Sequence, residues 1–238
     1  IRMAGFKYYF GTNTLGITTQ DNLQYVGGNS SVDESHDPII VIKNKLGYST
    51  GDTSGGSSDF DKNDENDLCC DRIHIVYGDF DQNNTTQPYK KYKITYFAEP
   101  RANGDDKYYG VYKTKESWIQ TDSDITGSWR DDCTECFRDE LIRDHLVDME
   151  FIVFDKQGRI INPPPRPDNA TRKDLYNIRI VDVRLTFRSK REFFRAEAED
   201  EKPRLVKGLG DRTREFFDKF LRDSVVVTVH TRNIGAGS

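Results

Sequence analysis

Long stretches of the chain alternate hydrophobic and polar positions with a period of two, the pattern of strands that bury one face. In Asp71-Arg72-Ile73-His74-Ile75-Val76-Tyr77, the residues Ile73, Ile75 and Tyr77 share a face. Further runs at Tyr92 to Ala98 and Tyr108 to Lys113 follow across Asp, Asn and Gly turns. Three strands at hairpin distances predict antiparallel sheet. In the second half Val147, Met149, Phe151 and Val153 alternate with Asp148 and Glu150, and Asp155-Lys156-Gln157-Gly158 reads as a turn. Val181, Val183, Leu185 and Phe187 alternate as strictly with Asp182, Arg184, Thr186 and Arg188. One buried and one wet face are expected for both. Pro38 to Lys43 adds a short β run, and Val225 to His230 a closing one.

Helical spacing is confined to two places. Ile1, Met3, Phe6, Tyr9 and Phe10 fit a helix that Gly11 stops, although the same residues also fit a first strand. Near the end, Asp211 is placed to cap a helix whose one side carries Phe216, Phe217, Phe220 and Leu221. Between the elements lie a Gly/Ser/Asp/Asn-rich stretch from Gly47 to Asp67 and a charged excursion from Lys190 to Lys207. Asn162-Pro163-Pro164-Pro165-Arg166-Pro167 cannot donate sheet hydrogen bonds and is expected to form a rigid surface connection.

Composition sharpens this picture. At 238 residues the chain has room for one large β-rich domain or two small ones, and we expect a single one over 1–238. With 35% hydrophobic and 32% charged residues it is lean, but 14 Phe, 12 Tyr and 2 Trp supply large buried area per side chain. The net charge of -5, from 35 Lys+Arg against 40 Asp+Glu, lacks the basic excess of a nucleic-acid binder, so no nucleic-acid partner is expected. No stretch approaches the roughly 20 consecutive apolar residues of a membrane helix. None of His36, His74, His145 and His230 stands in H-E-x-x-H or H-x-H spacing, and neither a nucleophile elbow nor a phosphate loop occurs. Enzymatic activity is not expected.

Two groups of residues carry candidate site chemistry. The cysteines fall in an adjacent pair, Cys69-Cys70, and a close pair, Cys133 and Cys136. Four cysteines allow three disulfide connectivities, and a ring between adjacent cysteines is strained, which makes Cys133 to Cys136 or cross-links between the pairs more attractive. A zinc site is the alternative, although adjacent cysteines are poorly spaced for its remaining ligands. Asp59, Asp61, Asn63, Glu65 and Asp67 place oxygen ligands at alternate positions, as the front of a calcium loop does. The glycine such a loop needs at its sixth position is Asp64 here, and the glutamate at its twelfth is Cys70. Asp79-Phe80-Asp81-Gln82-Asn83 repeats the pattern without a later carboxylate. Asp81 to Thr85 fits the extended acceptor pattern for bacterial N-glycosylation and Asn169-Ala170-Thr171 the short one, patterns that are common by chance.

The chain begins mid-element with Ile1-Arg2-Met3-Ala4-Gly5 and ends its last β run on Arg232-Asn233. Together with a D-x-I-x-I-x-Y strand at Asp71 to Tyr77, a strand running into a D-x-x-G turn from Val147 to Gly158, and the strand Ile180 to Arg191, these ends resemble the PilW-like minor type IV pilins and their pseudopilin relatives of type II secretion. The order of these blocks is more specific than any one of them. The acidic loop, the cysteine pattern and the proline run stand outside the resemblance. It implies an α+β head, with the remnant of a long N-terminal helix packed on antiparallel sheet and a short helix before the last strand. The implied role is structural, in priming or capping a pilus. Its partners would be other minor pilins, the major pilin and, through the N-terminal helix, the inner membrane. The implied location is the bacterial envelope before assembly and the extracellular pilus after it. Export in turn favours disulfides over zinc, and a calcium-held loop has parallels among pseudopilins. A secretion pseudopilin, or a secreted adhesive or carbohydrate-binding β domain, are the alternatives.

Overall fold

The computed structural model describes residues 37–43, 69–80, 83, 89–103, 106–120, 127–166, 171–193, 204–207 and 213–231. Their regular structure is almost all strand. In chain order the elements are β1 (Ile39–Ile42), β2 (Arg72–Phe80), β3 (Tyr89–Asn103), β4 (Asp106–Gln120), β5 (Gly127–Arg130), β6 (Phe137–Phe154), the single helical turn α1 (Arg172–Leu175), β7 (Ile180–Arg188), β8 (Arg204–Lys207), β9 (Thr213–Phe216) and β10 (Arg222–His230). One antiparallel sheet has the order β1-β2-β3-β4-β6-β7-β10, with β5 also paired to β4. The hairpin of β8 and β9 stands apart from it.

The expectation of an α+β head is overturned. Among the described residues the only helix is the four-residue turn α1, not a long helix laid on the sheet, and residues 1–10 lie outside them. The helix expected before the last strand is replaced by β9, whose Phe216 pairs with Arg204 and whose Thr213 pairs with Lys207. A helix placing Phe216, Phe217, Phe220 and Leu221 on one side needs an apolar surface to receive them. Here Phe217 and Leu221 are exposed, and Phe216 and Phe220 instead carry the guanidinium groups of Arg222 and Arg188. Pairing with the chain of the charged excursion decided the outcome over local periodicity. Asp211, the expected cap, lies outside the described residues.

Most sequence-predicted strands are present but longer. β6 reaches back to Phe137, well before the expected Val147, through a segment too charged to alternate. Its first half is irregular where it pairs β4, with register shifts around Val111 and between Lys113 and Lys115. Asp139 and His145 take positive φ values of 52° and 62° in the same strand, a conformation that Asp and His tolerate better than most residues. Thr114 Oγ1 accepts a hydrogen bond from the Asp139 amide at 3.1 Å, which holds that distortion. Bulges add bend and twist to a long strand. At Gly110, facing these bulges, an added Cβ would lie 2.8 Å from Arg101 Cδ and 2.9 Å from Tyr112 Cε2, so a larger residue would push those side chains aside.

The bent sheet curls until its first strands meet its sixth. β4 separates from β6 beyond the Tyr109–Leu146 pair, leaving the β6 edge from Val147 onward to other partners. Asp71, just before β2, donates its amide to Met149 O at 2.8 Å and accepts the Phe151 amide on its carboxylate at 2.9 Å. Lys43, at the end of β1, donates to Phe151 O at 2.6 Å and to the Asp71 carboxylate at 2.8 Å. Ile161 then satisfies Val153 O at 2.9 Å. An otherwise open edge is thereby paired, as buried backbone requires.

The core fills the inside of that curl. Ile39 and Val41 of β1, Ile73 and Ile75 of β2, Ala98, Val111, Leu146, Met149, Phe151, Val153 and Val181 make one buried cluster, and Leu175 and Ile178 from α1 and its exit join it. The expected wet face does not hold everywhere. Asp148 and Glu150 are buried between Val147, Met149 and Phe151, and Arg72 and His74 are buried on β2. In β7, Thr186 is buried too, with Asp182 and Arg184 half-buried. At the other end of the sheet Val225, Val226 and Val227 of β10 remain exposed.

Candidate functional site

Three clusters of chemically interesting side chains lie on this frame. The first is at the curl closure. The hydrogen bonds of Asp71 to Met149 and Phe151 lay the segment Cys69 to Asp71 along β6. Cys69 and Cys70 are joined as a disulfide, and their sulfurs and a carboxylate oxygen of Asp148 all lie within 4.8 Å of one another. All three residues are buried. The sequence made a ring between adjacent cysteines the less attractive pairing, yet here the two sulfurs lie together beside β6.

The second cluster surrounds the other disulfide. β5 and β6 follow one another along the same edge of β4, Arg130 opposite Ser117 and Phe137 opposite Lys115. Residues 131–136 therefore stand out against Glu116 alone, closed by the Cys133–Cys136 disulfide at a Cα separation of 4.9 Å. From this outgrowth the Glu135 carboxylate accepts Lys115 Nζ at 3.1 Å and the Tyr92 hydroxyl at 3.4 Å. The Lys115 ammonium holds Glu135 below the usual carboxylate range. Lys115 also sits 4.1 Å above the Tyr92 ring, itself 5.6 Å from that of Tyr77. Burial, with Glu135 and Asp79 nearby, pushes the phenols of Tyr77 and Tyr92 up to about 12.

The third is a polar layer on the opposite sheet face. Lys93 and Glu116 stand opposite each other on β3 and β4, both buried, with Nζ 2.7 Å from Oε2. His74 Nδ1 is 2.8 Å from Thr95 Oγ1, while its Nε2 has no hydrogen-bond partner among the described residues. Burial first, then Arg72 and Lys93, holds the His74 imidazole well below its ordinary pKa. Thr95 thus fixes the orientation of a buried, uncharged imidazole within this layer. Trp118 and Trp129 pack edge to face at 5.2 Å where β5 meets β4.

The sequence-predicted site residues divide unevenly. Asp59, Asp61, Asn63, Glu65 and Asp67 of the calcium loop lie outside the described residues, and so does Asp81 of the shorter repeat. Cys69, Cys70, Cys133 and Cys136 are paired within each close pair, and the structure does not bring the two pairs together. Asp148 was missed as a neighbour of the cysteines. Alternation had assigned it to a wet face, and no local signal ties residue 70 to residue 148. Among the described residues no helix is long and apolar enough to cross a membrane.

No family model and no curated protein matches the chain. Among solved structures the chain is similar to a type IV-like pilin from Thermus thermophilus, with TM-score 0.33 and 8% identity over 70% of this chain and 79% of that one.

Proposed function

We propose that this chain is the β-rich head of a minor subunit in a pilus-type filament, working by docking to other subunits and without turnover. The observation that supports this reading is the placement of the blocks that carry the pilin resemblance. Asp71 to Tyr77 leads into β2, Val147 to Gly158 forms the end of β6 and its turn, Ile180 to Arg191 contains β7, and the closing run is β10. The last three are consecutive neighbours in one sheet, so the blocks form a contiguous frame and not scattered matches. The disulfide-closed outgrowth at 131–136 and the exposed valines of β10 lie on that frame as surfaces for neighbouring subunits. The inner membrane before assembly and the cell exterior after it are the locations this role requires.

Deleting the gene in its own host and restoring it on a plasmid tests the role. Surface filaments should become sparse on deletion, recover on complementation, and carry label from antibody raised against the head. Unchanged filament number together with unlabelled filaments would reject the pilus assignment. If filaments persist but export of secreted proteins stops, the head belongs to a secretion filament instead.

A further inference from the structure

The segment Cys69 to Asp71 is fixed against β6 by the Asp71 amide on Met149 O and the Phe151 amide on the Asp71 carboxylate. That contact carries two adjacent sulfurs to a third potential ligand, the Asp148 carboxylate, with all donor atoms within 4.8 Å of each other. Relative exposures of 3% for Cys69, 0% for Cys70 and 6% for Asp148 put the group inside the protein. Two sulfurs and one carboxylate oxygen are a donor set for a borderline-soft cation such as zinc, and a poor one for calcium or magnesium, which take oxygen ligands.

We propose that Cys69, Cys70 and Asp148 form a redox-gated site for a divalent cation of the zinc class, held when the cysteines are reduced and excluded when they are joined. Closing the S–S bond removes the lone pairs and charge that the two thiolates would offer. In the reverse direction a dithiol reductant gives two electrons and two hydrogens to the disulfide and is itself oxidised to a disulfide. Zinc then displaces the two thiol protons to solvent and takes both sulfurs and the carboxylate. Burial disfavours free thiolates, so the cation supplies the positive charge that makes a reduced, ionised pair tolerable there. Asp148 is a positioned ligand that the chain brings from 78 residues away in sequence, by the difference of 148 and 70.

The test uses the full chain with zinc alone as the probe. Reduction by a phosphine, which becomes the phosphine oxide by taking the oxygen of a water, leaves the two hydrogens of that water on the sulfurs and introduces no competing thiol. In a Cys133→Ser/Cys136→Ser background, the reduced protein should bind one zinc per chain, and its oxidised form at least about tenfold more weakly; Asp148→Asn should weaken binding by about tenfold or more. Cobalt in place of zinc should show sulfur-to-metal charge-transfer absorption only after reduction. Equal binding before and after reduction, or an Asp148→Asn affinity equal to the parent, would overturn the site. Because Asp148→Asn can disturb folding, the unsubstituted reduced chain provides a second measurement. Zinc should slow alkylation of Cys69 and Cys70 about tenfold by mass spectrometry, and equal rates with and without zinc would also overturn the proposal.

Discussion

Replacing Asp71 by alanine probes the contact that closes the curled sheet. The Asp71 side chain is fully buried and Lys43 is 27% exposed, with 2.8 Å between the charged atoms. Removing the carboxylate leaves the Phe151 amide without its acceptor, a loss of about 1–3 kcal/mol for a buried donor. It also takes away the counter-charge of the Lys43 ammonium, which keeps its bond to Phe151 O. Breaking a fully buried pair costs about 3–5 kcal/mol, and the partial exposure of Lys43 lets water recover some of that. The net expectation is about 3 kcal/mol, which for a chain of this size lowers Tm by roughly 6–12 °C. Asp71→Asn keeps an acceptor for the amide and loses only the charge, so about 1–2 kcal/mol is expected. Urea unfolding followed by fluorescence, with Lys43→Met and the double variant completing a cycle, gives the coupling directly. If Asp71→Ala costs less than about 1 kcal/mol, or the cycle is additive within about 0.5 kcal/mol, the clasp is not what holds β2 against β6.

Three further outcomes follow from the same geometry. Glu116→Leu alone should destabilise by about 3–5 kcal/mol because it leaves the Lys93 ammonium buried, whereas Lys93→Met with Glu116→Leu should recover most of that loss in urea titrations; equal losses in both would contradict the pairing. His74 has a folded pKa depressed below 6.5, so below that value the unfolded chain binds the extra proton: stability is full above about pH 6.5 and falls as pH drops beneath it, and His74→Gln should flatten that slope. Persistence of the full acid slope in His74→Gln would assign it to other groups. Val226→Lys, on the exposed stretch of β10, should change stability by no more than about 0.5 kcal/mol and slow aggregation in light scattering, whereas a large loss of stability would show that β10 is covered.

Period-two alternation located β2, the cores of β3 and β4, the second half of β6, and β7, because in each of them one row of side chains enters the same core; β10 was legible from its run of β-branched residues, although its valines stay exposed. It failed where a strand's neighbours supply the pattern. The charged first half of β6 is strand because β4 offers it hydrogen bonds and bulges absorb the mismatch. The run at 213–216 is strand because β8 pairs with it, although its spacing reads as helix. Helix and strand compete closely in a short aromatic run, and a partner strand tips the balance.

The sequence by itself determined the β-rich character of the chain, the antiparallel order β2-β3-β4, the turn at Asp155 to Gly158, and the two close cysteine pairs, because these rest on contacts between residues near in sequence. Only the tertiary structure decided that the sheet curls until Asp71 meets β6, that Asp148 and Glu150 are buried, and that each cysteine pairs with its near neighbour. Those outcomes depend on which edge β4 leaves free and what comes to fill it. Backbone groups exposed there must be satisfied by whatever segment the curl brings within reach, and local periodicity contains no record of that distance.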